Sequence, residues 1–210
     1  MVYFIPKFTI IPIVKLYVKE VNGIENLPKH GACIIAANHS SYMDHMIIGA
    51  CIISQVNRKF HFLAKKEHFD SFLQRAWHRY MAAIPVDRQK GGEEALAGAI
   101  KALKQGKIIA IYPEGTRAFT GKLQRAKTGI ARLAILSKAP VLPIGLIGTF
   151  EILPKGRYIP KAKRAVLNIG KPMYFEKYYG NPITKRLLRE ITTKIMKEIA
   201  KLSNQKYNFD

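Results

Sequence analysis

Short apolar runs of strand length, each followed by a segment of helical periodicity, constrain the fold of this chain more than any other feature. GACIIAA (31–37) precedes YMDHMIIGACIIS (42–54), FHFLA (60–64) precedes FDSFLQRAWHRYMA (69–82), and KIIAIYP (107–113) precedes TGIARLAILSKA (128–139). AIPV (83–86) reads as another short strand, and GGEEALAGAIKALKQG (91–106) as a helix with acidic residues at its start and Gly106 as its stop. VLPIGLIG (141–148) and RAVLNIG (164–170) supply further strands. Strands alternating with helices build an α/β domain with a largely parallel or mixed central sheet flanked by helices. The C-terminal segment is helical, because Leu187, Leu188, Ile191, Ile195, Ile199 and Leu202 fall in one stripe, with a basic, solvated face opposite.

The length of 210 residues, 48% of them hydrophobic, suits one domain with a substantial core. Residues 21–210 are expected to form it. Residues 1–20 begin MVYFIPKFTIIPIVKLYVK and are apolar but broken by Pro6, Lys7, Pro12 and Lys15. A spanning helix needs about 20 apolar residues without such breaks. No basic n-region or A-x-A-like site marks a signal peptide. The segment is expected either to pack on the domain or to lie in a bilayer interface. Residues 151–163 form the one long stretch rich in turn residues and charge, and read as a loop.

Thirty-five Lys and Arg against 14 Asp and Glu give a net charge of +21, so a polyanionic partner is expected: nucleic acid, an anionic membrane surface, or phosphorylated substrates. Cys33 and Cys51 lie in apolar contexts without C-x-x-C spacing and read as buried thiols. The six histidines make no H-E-x-x-H or Cys–His cluster, so no metal is expected. G-x-S-x-G is absent, which leaves a serine hydrolase unsupported. Gly115 to Gly121-Lys122 has one residue too many for a P-loop, with Leu123 where a magnesium-binding Ser or Thr belongs.

Function in open α/β sheets gathers where strands end. NHSSYMD, Asn38 to Asp44, sits at such a junction and admits two readings. Ser41 and Asp44 fit a capping box, with Ser41 at the N-cap and Asp44 at N3. Alternatively, His39 and Asp44 form a base and its orienting carboxylate. Five residues of continuous helix would set these side chains about 140° apart, so the pair needs a bend, which Ser40 and Ser41 supply. A second strand-end stretch, YPEGTR (112–117), places Glu114 and Arg117 about the bend at Gly115. Lys65, Lys66 and Arg88 lie near other strand ends, and cations converging there would suit a phosphorylated substrate.

Together these motifs resemble the 1-acylglycerol-3-phosphate acyltransferases of the glycerolipid acyltransferase superfamily. N-H-x-x-x-x-D at Asn38–Asp44, K-K-E at Lys65–Glu67, I-P-V-D-R at Ile84–Arg88, Y-P-E-G-T-R at Tyr112–Arg117 and V-L-P-I at Val141–Ile144 follow the family's order and spacing, over roughly residues 21 to 150. Tyr112 replaces the more usual Phe, Ala118 a Ser, and Ala83 a Gly.

The resemblance implies transfer of a fatty acyl group from acyl-CoA or an acyl carrier protein thioester to the sn-2 hydroxyl of lysophosphatidic acid, giving phosphatidic acid. His39 would be the general base and Asp44 its orienter, with no cofactor beyond the thioester co-substrate. Glu114, Gly115, Thr116 and Arg117 would bind substrate, with Lys65 and Arg88 as further phosphate ligands. The expected place is the cytoplasmic face of the cell membrane, peripheral or monotopic, on an anionic surface and without nucleic acid. Acylation of glycerol 3-phosphate or another lysolipid stands as an alternative. A basic nucleic-acid-binding domain is the rival of a different class, though an aromatic RNA-binding block and a recognition-helix pattern are both missing.

Overall fold

The apolar run Cys33–Ala37 is buried at every position in the computed structural model, which describes residues 8–56, 58–80, 82–87 and 96–209. Along the chain run α1 (Ile10–Lys15), β1 (Val18–Asn22), β2 (Cys33–Ala37), α2 (Asp44–Val56), β3 (Phe60–Lys65), α3 (Phe72–Tyr80) and β4 (Ile84–Val86). They are followed by α4 (Ala97–Lys104), β5 (Ile108–Ile111), α5 (Gly129–Ser137), β6 (Val141–Ile147), α6 (Thr149–Ile152), β7 (Ala165–Ile169) and α7 (Lys185–Leu202). The seven strands form one mixed sheet in the order β1-β7-β6-β2-β5-β3-β4. Every pairing is parallel except β6 with β7.

Strand β2 is continuously apolar because both faces of the sheet are covered there. Ile34 and Ala36 join one core with residues of α4, α5 and α7, whereas Cys33, Ile35 and Ala37 join the opposite core with residues of α1 and α2. Burial pushes the Cys33 thiol up to about 12 and the Cys51 thiol up to about 11, and neither forms a disulfide. Helix α7 starts at the N-cap Thr184, whose hydroxyl accepts from the Leu187 amide, and buries Leu188, Ile191, Ile195 and Ile199. It lies so close to β6 that a Cβ at Gly145 would stand 2.2 Å from the Leu202 carbonyl carbon. Arg189, expected on its solvated face, instead donates to the Ala126 carbonyl at 2.8 Å.

The N-terminal segment is divided in its contacts. Ile11 and Val14 are buried, while Phe8, Ile13 and Leu16 are exposed. Val18–Asn22, not read as a strand from sequence, pairs with β7 across the expected boundary at residue 20. No helix among the described residues is long and apolar enough to cross a membrane. Residues 1–7 and Arg88 lie outside the described residues.

Five neighbouring parallel strands, β6, β2, β5, β3 and β4, end at one edge of the sheet. The register pairs Ala37 with Ile144, Ala36 with Ile111, Phe62 with Ala110, and Lys65 with Val86. The segments that leave these ends are NHSSYMD after β2, KKE at and after β3, and YPEGTR after β5.

Candidate active site

Asn38 ties the chain just beyond β2 to the neighbouring strand β6. Its side-chain amide donates to the Leu146 carbonyl at 3.0 Å and accepts from the Leu146 amide at 2.7 Å, replacing a backbone rung after the strand has ended. From the next residue onward the chain turns out of the sheet toward α2. His39 Nδ1 lies 2.8 Å from Asp44 Oδ2. The Ser40 and Ser41 amides also donate to that oxygen, each at 2.8 Å.

The bend required between histidine and aspartate is therefore held by the aspartate itself. The capping reading is present too, since Asp44 in the first turn of α2 accepts from Ser41 N–H. The reciprocal half differs from a full capping box, because Ser41 Oγ accepts from Met43 N–H at 3.0 Å and donates to the Leu153 carbonyl at 2.8 Å.

A carboxylate oxygen only accepts, so in the neutral ring Nδ1 carries the proton and Nε2 keeps its lone pair. The His39 side chain is 16% exposed and that of Asp44 is 0%, so the base is reachable and its partner is shielded. Tyr112 stacks on the imidazole with ring centroids 3.9 Å apart and an interplanar angle of 12°. Burial pushes the neighbouring His45 down to about 4, so that ring is neutral near pH 7.

The backbone of His39 is clamped from the other strand end. Its amide donates to Glu114 Oε1 at 2.7 Å, and its carbonyl accepts from the Ala118 amide at 2.8 Å. Glu114 Oε2 accepts from the Gln124 amide at 2.8 Å. Glu114, expected to face substrate, thus holds two loops together and is buried. Burial pushes its carboxyl up to about 7, against the opposing pull of the His39 and Gln124 hydrogen bonds. Gly115 has φ +75, the left-handed conformation that closes this turn, with its amide donating to the Tyr112 carbonyl at 2.9 Å.

Arg117 follows the turn and stacks its guanidinium 3.7 Å from the centroid of the Tyr42 ring. Tyr42 lies within NHSSYMD, so the two motifs meet through this contact. Thr116 is exposed, and its carbonyl accepts from the Gln124 side chain at 3.1 Å. Lys65 is exposed at the end of β3, two strands from β2, while Lys66 faces Asp87 at 3.5 Å. No group of three or more His, Cys, Asp or Glu side chains converges as a metal site among the described residues.

Sequence reasoning missed Gln124, Tyr42 and the clamp through Ala118. Gln124 stands ten residues beyond Glu114 in a segment without periodicity, and the loop that bears it is positioned from α7 and beyond. There Leu123 N–H donates to Gln205 Oε1 at 2.9 Å and Ala126 N–H to the Tyr207 hydroxyl at 3.1 Å.

The chain is similar to known proteins. A family model described as Acyltransferase matches residues 19–147. The 1-acyl-sn-glycerol-3-phosphate acyltransferase of Bacillus subtilis (strain 168) is 31% identical over 192 residues, covering 91% of this chain and 89% of that protein. The chloroplastic 1-acyl-sn-glycerol-3-phosphate acyltransferase BAT2 of Brassica napus is 28% identical over 177 residues. That match covers 80% of this chain and 48% of the plant protein, so this chain spans about half its length. The crystal structure of the 1-acyl-sn-glycerophosphate (LPA) acyltransferase from Thermotoga maritima shares the fold, with a TM-score of 0.69 at 25% identity, over 97% of this chain and 83% of that one. With motifs, fold and relatives in agreement, the chain belongs to the acyltransferase family and, within it, to the 1-acylglycerol-3-phosphate acyltransferases its motifs resemble.

Proposed function

We propose that this protein transfers a fatty acyl group from a thioester to the sn-2 hydroxyl of lysophosphatidic acid, with His39 as general base. The observation that carries the reading is the 2.8 Å contact between His39 and the buried Asp44 at the strand ends, in the loop whose Tyr42 also holds Arg117. Nε2 takes the hydroxyl proton as the oxygen attacks the thioester carbonyl carbon. The tetrahedral intermediate collapses by breaking the carbon–sulfur bond, and the imidazolium returns its proton to the departing thiolate. Asp44 fixes the tautomer and stabilises the imidazolium between these steps. The flat stack of Tyr112 on the ring adds an attraction that grows when the ring is charged.

Arg117 takes the substrate phosphate, with its plane set by Tyr42, and Lys65 and Arg88 are further phosphate ligands. Thr116 and the Gly115 turn line the approach. Glu114 acts one step back, as the residue that positions His39. The donor is acyl-CoA or an acyl carrier protein thioester, and no cofactor takes part. The protein works peripherally on the cytoplasmic leaflet, with the exposed side of α1 lying in the interface.

The test is mass spectrometry of products after incubation with mixed lysolipids and both donor types, run beside His39→Ala. Removing the base is expected to lower turnover at least about a hundredfold with an unchanged melting temperature. Turnover close to wild type would overturn the assignment of His39.

A further inference from the structure

The loop after α6 carries a combination of groups that the acyl-transfer chemistry does not use. Tyr158 is 89% exposed and Ile159 is 82% exposed at its tip. Phe119, two residues beyond Arg117, is 71% exposed, and the Lys155 ammonium lies 3.7 Å from the centroid of its ring. That contact joins the loop to the turn that bears Arg117. Single exposed apolar side chains are ordinary on a protein surface. Here two stand adjacent at a loop tip, and a third is tied to the same loop by a cation.

A depression of about 430 Å³ opens beside the tip, lined by Phe150, Glu151, Pro154, Arg157, Lys161 and Lys163. Three cations face one carboxylate there. None of Arg157, Lys161 and Lys163 is in a salt bridge among the described residues. The loop is nevertheless anchored: the Arg157 amide donates to the Pro154 carbonyl at 3.2 Å and the Lys161 amide to the Ile152 carbonyl at 2.9 Å. It also abuts the catalytic bend, since the Tyr42 amide donates to the Leu153 carbonyl at 3.1 Å and Ser41 forms a bridge with Pro154.

We propose that residues 155–163, together with Phe119, dock this acyltransferase on an anionic phospholipid bilayer. Tyr158 and Ile159 enter the boundary between headgroups and acyl chains, and Arg157, Lys161 and Lys163 meet the lipid phosphates. An aromatic and an aliphatic side chain between Lys and Arg are what such an interface takes up. An acidic carrier protein would be served by the cations alone and leaves the apolar tip without a purpose. Docking here brings the His39 bend to the lipid surface, where a lysolipid presents its headgroup while its chain stays in the membrane. The inference rests on the lipid acyltransferase reading for its purpose and on the loop's own geometry for its site.

The test uses the full chain and sedimentation with vesicles of phosphatidylcholine, alone or with about 30% phosphatidylglycerol. Tyr158→Ser/Ile159→Ser and Arg157→Gln/Lys161→Gln/Lys163→Gln are compared with wild type. Each variant is expected to lose about tenfold or more in partitioning onto the anionic vesicles. Each keeps the wild-type melting temperature and its turnover of a short-chain lysophosphatidate dispersed as monomers. The triple variant also loses most of the salt dependence of binding. Vesicle binding unchanged in the tip variant overturns the proposal. So does a triple variant that binds vesicles normally but no longer binds an acidic acyl carrier protein, which would reassign the surface to the donor. Failure of the wild type to acylate the monomeric substrate would sink the enzymatic reading and leave the vesicle result standing by itself.

Discussion

Two loops that touch each other, Asn38–Tyr42 and Pro154–Lys163, are built on opposite plans. In the first, Asn38, Ser40 and Ser41 are buried with their polar groups partnered inside the protein, and the His39 backbone is bonded at both N–H and C=O. In the second, the backbone is anchored, but Arg157, Tyr158, Ile159, Lys161 and Lys163 are exposed to solvent. Pre-set geometry is what a base needs, because reorganisation during reaction costs rate. Unpaired cations and exposed apolar tips are what a surface contact needs, because its partner lies outside the chain. The contrast separates residues that should govern chemistry from residues that should govern attachment.

The sharpest way to break this contrast is Asp44→Asn. An amide oxygen still accepts from Ser40 and Ser41, so the bend and most of the stability should persist, but an amide cannot stabilise the imidazolium. Turnover on monomeric substrate should fall roughly a hundred- to ten-thousandfold, and vesicle binding should not change. A lowered melting temperature with little change in rate would mean that Asp44 only caps α2.

Arg117→Lys comes next. Lysine keeps the charge but loses both the bidentate fork and the guanidinium contact over the Tyr42 ring. kcat/KM for lysophosphatidate should fall roughly ten- to a hundredfold, with a much smaller loss on a lysolipid without a terminal phosphate. Equal losses on both would remove Arg117 from phosphate binding.

The smallest expected effect sharpens the account of Glu114. Its carboxyl is held at about 7 in the fold, mainly by burial, above the 4.5 of an ordinary glutamate. A raised value means that its contribution to stability is fully present below about 4.5 and is lost as pH rises through about 7. Glu114→Gln cannot titrate. The stability of wild type relative to this variant, measured by denaturant melts, should therefore fall by roughly 1 kcal/mol between pH 6 and pH 8. A difference that is flat or grows with pH would show that Glu114 is ionised throughout that range.

The strand–helix alternation was legible because its signals are local: β-branched runs for β2, β5 and β6, and the apolar stripe for α7. The His39–Asp44 pair was legible as a motif, and the bend it requires followed from helical geometry. β1 was not legible. Val18–Asn22 is an edge strand whose Lys19 and Glu20 are exposed, so it lacks the continuous apolar run that marks the interior strands. The role of Glu114 was hidden for another reason. A glutamate in a strand-end loop looks the same in sequence whether its carboxylate meets a substrate or two backbone amides, and the amides of His39 and Gln124 come from segments on either side of it. Arg189 makes the same point, since only the fold brings the Ala126 carbonyl to its side chain.

The pairing of β1 with β7 also sets a schedule for synthesis. Val18–Asn22 leaves the ribosome well before Ala165–Ile169, its one strand neighbour among the described residues, which is translated roughly 140 residues later. At the usual pace of about 5–20 residues per second, the strand waits roughly 7 to 30 s for its partner. Throughout that interval β1 lacks its partner strand, while α1 can already pack on α2. A chaperone or a nearby membrane has its longest opportunity to meet this protein then, before the sheet acquires its final edge.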